Sequence, residues 1–204
     1  MTESYLKSIH DLVQWTDQSG TIFAFPIDYV DRSIKVIDHS LSHIHEGKAF
    51  TAWGDKASVA VDGVYDIILR TPAAATAYVH LIHSYGWVEG GQCRLQIFEK
   101  PTTATSDTAF TPINRNRLSA ETSGVEVETS GTVTVGSATQ INEKVFGGGT
   151  DKKGDTGGAA GVKRAEYILD TSTTYVVRGL NKSTDSATVS LWLLWAEEAE
   201  GIET

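Results

Sequence analysis

Three imidazoles fall within seven residues at positions 39–45 (HSLSHIH). On an extended strand, His43 and His45 point to the same face, so both rings could reach one metal ion. Glu46 points away unless a turn redirects it. His80 and His83 are three apart, so on a strand they face opposite ways. The competing reading of the His-rich run is a polar strand face or a subunit contact, with sensitivity to pH.

A jelly-roll metalloenzyme of the cupin type uses His-x-His with a Glu a few residues later. Here Glu46 follows at once, and after Gly47 the next histidine is His80. No metal or cofactor is therefore assigned, and His43 and His45 stand as the only metal candidates. Residues 149–156 (GTDKKGDT) have the glycine spacing of a phosphate loop. That loop needs a lysine after its last glycine to neutralise phosphate charge, and Asp155 stands there instead. There is no G-x-S-x-G nucleophile context. Asp28, Asp31, Glu126 and Glu128 cannot be paired from the sequence alone. No catalytic residue is assigned, and the expectation is a protein that is not an enzyme.

Arg115 and Arg117 alternate with Asn114 and Asn116 (INRNR). An extended segment sets both guanidiniums on one side, where they suit bidentate contacts to carboxylates. They form either an internal or inter-subunit salt-bridge strip, or a solvated strand edge. Trp53, Trp87, Trp192 and Trp195, with Tyr78, Tyr85, Tyr167 and Tyr175, could build a carbohydrate platform. Most sit within apolar runs, which favours burial in a core or an interface.

These residues need elements to position them. The chain has 204 residues, 40% of them hydrophobic, and a net charge of −9. That is enough for one large domain with a real core, or one domain plus an arm. The acidic balance argues against nonspecific nucleic-acid binding, which needs a basic footprint. No apolar run approaches the ~20 residues of a membrane helix, so no membrane partner is expected. The opening stretch, MTESYLKSIHDLV, lacks the pattern of a signal peptide. Cys93 is the single cysteine and sits in an apolar run, so it reads as buried and inert. Synthesis and assembly in a reducing cytoplasm are expected.

Tyr5, Ile9, Leu12 and Val13 recur at helical spacing, predicting a short helix that ends by about Gly20. It packs on its own domain or lies as an arm on a neighbouring subunit. Strands are expected at 21–30, interrupted by Pro26, and at 33–45, 49–53, 65–70, 77–85 and 92–99. Gly86, Gly90 and Gly91 bracket a turn. Residues 101–111 read as a polar loop. Short strands follow at 113–118, 124–128 and 131–135, with a hairpin turn at Thr129-Ser130-Gly131. A Gly-rich loop at 147–161 leads into three closely spaced strands at 165–169, 174–180 and 187–196. In the last, Val189, Leu191, Leu193 and Trp195 share one face; Trp192, Leu194 and Ala196 share the other. A strand apolar on both faces is covered on both. No βαβ alternation or internal repeat appears. The expected fold is all-β: a jelly-roll-like antiparallel β-sandwich over 33–204, preceded by a short N-terminal helical arm over 1–32.

The order of these segments resembles a family of virion structural proteins of tailed bacteriophages, the capsid decoration or head-associated proteins. The resemblance runs through DHSLSHIHEGKAF, YDIILRTP, YVHLIHSYG, INRNR, the Gly-rich loop, KRAEYIL, TTYVVRGLN and LLWAEE, and spans residues 34–198. It implies a jelly-roll-like sandwich, self-association (commonly as trimers), attachment to the major capsid protein, and a place on the outer surface of the virion. It offers no catalytic residues. On this reading the contacts to shell or subunits are expected from Tyr5, Ile9, Leu12, Trp15, Arg115, Arg117, Trp192 and Trp195. Two rivals remain: a tail- or fibre-associated module that recognises host glycans, and a cupin-like metalloprotein using His43 and His45.

Overall fold

The computed structural model describes residues 14–16, 22–24, 27–28, 33–34, 43–73, 78–147 and 166–198. The chain divides into two compact units, Met1–His39 and Ser40–Thr204. In the first, β1 (Gln14–Thr16) pairs antiparallel with β2 (Ile22–Ala24), and β3 (Ile27–Asp28) with β4 (Ser33–Ile34). Trp15 lies opposite Phe23 in that ladder. The expected helix therefore does not run to Gly20: Trp15 and Thr16 favour extended backbone, and a partner strand six residues on supplies the hydrogen bonds. Tyr5, Ile9 and Leu12 lie outside the described residues, as does most of the Gly-rich loop.

The second unit holds β5 (Ala49–Val59), β6 (Val64–Arg70), β7 (Tyr78–Val88), β8 (Cys93–Glu99), β9 (Thr103–Phe110), β10 (Ile113–Asn114), β11 (Glu126–Thr134), β12 (Thr139–Phe146), β13 (Tyr167–Leu169), β14 (Thr174–Asn181) and β15 (Ala187–Glu198). The pairing follows one rule. First pairs with last: β5 with β15, β6 with β14, β7 with β13 and β8 with β12, all antiparallel. The chain is thus a long hairpin, β5–β8 against β12–β15, rolled so that successive pairs fall in alternate sheets. One sheet runs β10-β5-β15-β7-β13 and the other β12-β8-β14-β6-β11-β9. This is the jelly roll expected from the sequence. Strands β9, β10 and β11 are an insertion that extends both sheets at one edge.

Alternation explains which residues face inward. Tyr65, Ile67 and Leu69 of β6, Leu95 and Ile97 of β8, and Tyr175 and Val177 of β14 meet Leu191, Leu193 and Trp195 of β15 between the sheets. Each fully buried aliphatic side chain contributes about 1.5–3 kcal/mol. Cys93 lies in this core, where burial pushes its thiol up to about 12. It stays protonated and inert at neutral pH.

Several local expectations differ from the fold: the strand expected at 113–118 is only Ile113–Asn114, and residues 43–45, expected extended, are helical. Residues 101–111 are largely a strand, β9, at the edge of the six-stranded sheet. Its side chains are almost all exposed on both faces, so no apolar alternation marks it. Thr129-Ser130-Gly131 is not a hairpin turn. It lies within β11, where the ladder to β9 shifts register twice, as at a β-bulge. Strand β12 was not anticipated; its side chains, too, are mostly half-buried or exposed. Gly86 lies inside β7, and the turn follows at Gly90, whose φ of +69° suits a residue without Cβ.

Candidate functional site

The outer face of the five-stranded sheet carries the residues that the core does not use. Strand β15 is central, and register sets its neighbours. Trp192 lies between Trp53 of β5 and Tyr85 of β7; Ser190 lies between Asp55 and Trp87. Between these two rows runs Gly54–Leu191–Gly86, with the Leu191 side chain turned into the core. The backbone of that row is left as a floor. The glycines are required from below. A Cβ on Gly86 would stand 2.8 Å from Cys93 Sγ and 3.2 Å from Leu95 Cδ1, and one on Gly54 would overlap the Tyr65 hydroxyl. Burial pushes that hydroxyl up to about 12, with the Asp55 carboxylate adding to the effect.

The result is a groove of about 280 Å³ lined by Trp53, Asp55, Tyr85, Trp87, Ser190 and Trp192 around the glycine floor. Trp53 is 54% exposed and Trp87 44%. Tyr85 and Trp192 are half-buried and in contact, their ring centroids 5.2 Å apart. An aromatic platform is therefore present. It is built from three of the four tryptophans that the sequence singled out, excluding Trp195. Trp195 is 1% exposed in the core, with its indole N–H donated to Glu197 Oε1 at 2.8 Å. It is not available to a partner, because odd and even positions of β15 face opposite ways.

His43 and His45 do not share a face. Residues 43–45 make a helical turn, which sends His43 inward and leaves His45 exposed. On β7, the ladder to β15 shifts at Ile82, so His80 lies opposite Ala196 and His83 opposite Leu194, both on the outer face. The bulge breaks the alternation that would have separated them. Glu198 then bridges two rings: Oε1 is 3.0 Å from His43 Nε2 and Oε2 is 3.6 Å from His80 Nε2. His80 Nδ1 reaches Glu166 at 2.9 Å. Among the described residues, no group of three or more His, Cys, Asp or Glu is placed to hold a metal ion. Glu197 is also used internally, accepting from Ser123 Oγ, the Gly124 N–H and Trp195 Nε1.

Arg115 and Arg117 are both exposed, while Asn114 is buried and Asn116 half-buried. The amides are latches. Asn114 Nδ2 donates to Gly47 O at 2.7 Å and Glu121 O at 3.0 Å; Asn116 Nδ2 donates to His45 O at 3.0 Å. The Leu118 N–H returns to Asn116 Oδ1 at 3.1 Å. This fixes a projection on which Leu118 is 98% exposed, one and three residues from the exposed Arg117 and Arg115. Neither arginine makes an ion pair among the described residues. Leu118 was not singled out from the sequence, because exposure of an isolated leucine has no sequence signature.

The opposite outer face carries charged pairs beside a small apolar cluster of Ile68, Phe98 and Val176. Arg178 of β14 donates from Nε and Nη2 to both carboxylate oxygens of Asp66, at 2.8 Å each. Its Cζ lies 5.6 Å from the centre of the Phe98 ring. Arg70 pairs with Glu128 at 3.2 Å and also donates to Thr174 and Ala104 O. Of these residues only Glu128 stands out in the sequence, and without a partner; a strand arginine and a strand aspartate more than a hundred positions apart, such as Arg178 and Asp66, give no sign of pairing.

No protein-family model matches the chain, and no curated protein matches it.

Proposed function

We propose that the protein is a non-enzymatic structural subunit of a tailed-bacteriophage particle, which decorates and reinforces the outside of the capsid lattice. Its partners are the major capsid protein and further copies of itself, in a trimer. It reaches the virion surface after assembly in the host cytoplasm. The ordered resemblance over residues 34–198 motivates this reading, and the jelly roll agrees with the fold which that resemblance implies. Fold alone does not assign function.

The observation that carries the reading furthest is the Arg115–Arg117–Leu118 projection. Its backbone is already latched by Asn114 and Asn116, so little ordering cost remains to be met on docking. Arginine is enriched at interfaces, and an exposed leucine following two exposed arginines suits an acidic surface with an apolar pocket. A protein that binds only the assembled lattice stabilises it by mass action, without chemistry.

The test is copy number in purified particles, as a ratio to the major shell protein by quantitative mass spectrometry. Hundreds of copies in a simple ratio are expected. Replacing Leu118 by Asp together with Arg115 and Arg117 by Glu should empty the lattice while the isolated protein stays folded. A handful of copies would move the protein to the tail or a fibre, and none would end the virion reading.

A further inference from the structure

We propose that the groove bounded by Trp53, Tyr85, Trp87 and Trp192 is a binding site for a neutral glycan. The proposal is independent of where on a particle the protein sits, because it rests on the groove alone.

The groove offers two kinds of contact in the arrangement that a sugar ring uses. Its walls are indoles, whose faces take the apolar C–H face of a pyranose. Its polar groups are the Asp55 carboxylate and the Ser190 hydroxyl, opposite each other in register. Neither side chain hydrogen-bonds within the described residues. A carboxylate only accepts, and an adjacent pair of sugar hydroxyls can donate to its two oxygens as strong charge-assisted bonds. The volume of about 280 Å³ lies at the lower end of the roughly 300–1,000 Å³ of small-molecule sites. That suits a ligand of one or two rings.

Other occupants fit less well. The exposed Asp55 lines the groove and no lysine or arginine does, so phosphorylated, sulfated and sialylated ligands are repelled. A second copy of the chain needs more surface. The open area of Trp53 and Trp87 is on the order of 200 Å², taking each side chain as roughly 200 Å². A stable protein interface buries about 800 Å² per partner. An organic cation would be drawn to Asp55, but it must lie within about 6 Å of each ring centre. Trp53 and Trp87 stand two strands and two residues apart, roughly 12 Å between their backbones, from the spacing of a sheet. Walls that far apart suit an extended ligand.

The experiment is binding of the full chain to an array of neutral glycans ending in hexose, N-acetylhexosamine and 6-deoxyhexose, with sialylated and sulfated glycans alongside. The best neutral ligand is then titrated by tryptophan fluorescence. The expected result is saturable binding to at least one neutral class, weakened at least tenfold in Trp53→Ala and in Trp87→Ala. Asp55→Ala, on the exposed rim, is the second variant and should weaken binding while leaving the melting temperature unchanged. Retention of no neutral glycan overturns the proposal, as does binding that survives all three substitutions. Displacement by millimolar tetramethylammonium chloride would reassign the groove to organic cations and likewise overturn it.

Discussion

Arg178 and Trp192 occupy the same kind of position, pointing outward from the central strand of one sheet or the other. Arg178 meets its needs inside the molecule, through Asp66, with the Phe98 ring beneath it. Trp192 instead lines an open groove beside Trp53 and Trp87, which are half-exposed. Charged groups that are satisfied inside the molecule have nothing left to offer a partner. An apolar face left open to water costs free energy in the isolated protein and regains it on binding. The contrast teaches which face to interrogate for stability and which for recognition. Substitutions on the charged face should act on folding, and those on the aromatic face on binding.

The largest expected effect lies on the charged side. Asp66 is only 3% exposed, so Arg178→Ala leaves a buried carboxylate without its partner. Breaking such a pair typically costs about 3–5 kcal/mol. Urea unfolding should show that loss, and Arg178→Ala combined with Asp66→Ala should recover a good part of it. A single-variant cost under about 1 kcal/mol, the level of an exposed ion pair, would mean that the pair is solvated and the contrast between the faces is false.

A middle-sized effect is expected from the layer beneath the groove. Gly86→Ala places a Cβ 2.8 Å from Cys93 Sγ, with Leu95 and Leu191 close behind it. All three neighbours are buried, so the core must shift rather than a surface side chain swing away. Overpacking of this kind costs about 1–3 kcal/mol. The substitution should also disturb the groove, because Gly86 is part of its floor. Thermal melting measures the first consequence and tryptophan emission the second. A neutral Gly86→Ala would show that the floor is not set by the core below.

The roll itself was readable where apolar alternation is strong. Strands near 65–70, 92–99, 174–180 and 187–196 lie within a few residues of their expected ends, because each buries one face in the core. Residues 103–110 and 139–146 are not readable as strands, since side chains that are largely exposed or half-buried leave no clear apolar period to detect. The site was legible in part. Trp53, Tyr85, Trp87 and Trp192 stood out as aromatics, but which were buried depended on strand parity and on register between β5, β15 and β7. Trp195 and Trp192 differ by three positions and end on opposite faces. His80 and His83 also differ by three and end on the same face, because of a bulge with no local signature. Asp55 and Ser190 carry no motif at all; only the ladder brings them opposite one another.

The smallest expected change in stability is also the sharpest test of the contrast. Trp53→Ala and Trp87→Ala remove large side chains, and in a core such truncations cost about 3–5 kcal/mol. Here both rings stand half in water, at 54% and 44% exposure, and neither stacks on another ring among the described residues. Much of the apolar area they lose was never removed from solvent, so each substitution should change unfolding free energy by no more than about 0.5 kcal/mol, the level of ordinary surface positions. The comparison is with Arg178→Ala under identical conditions. A near-silent pair of tryptophan variants beside a crippled arginine variant is what a binding face opposite a structural face predicts. Tryptophan variants that unfold as readily as Arg178→Ala would show that the aromatic face is covered and holds the fold together, and would leave the molecule with two structural faces.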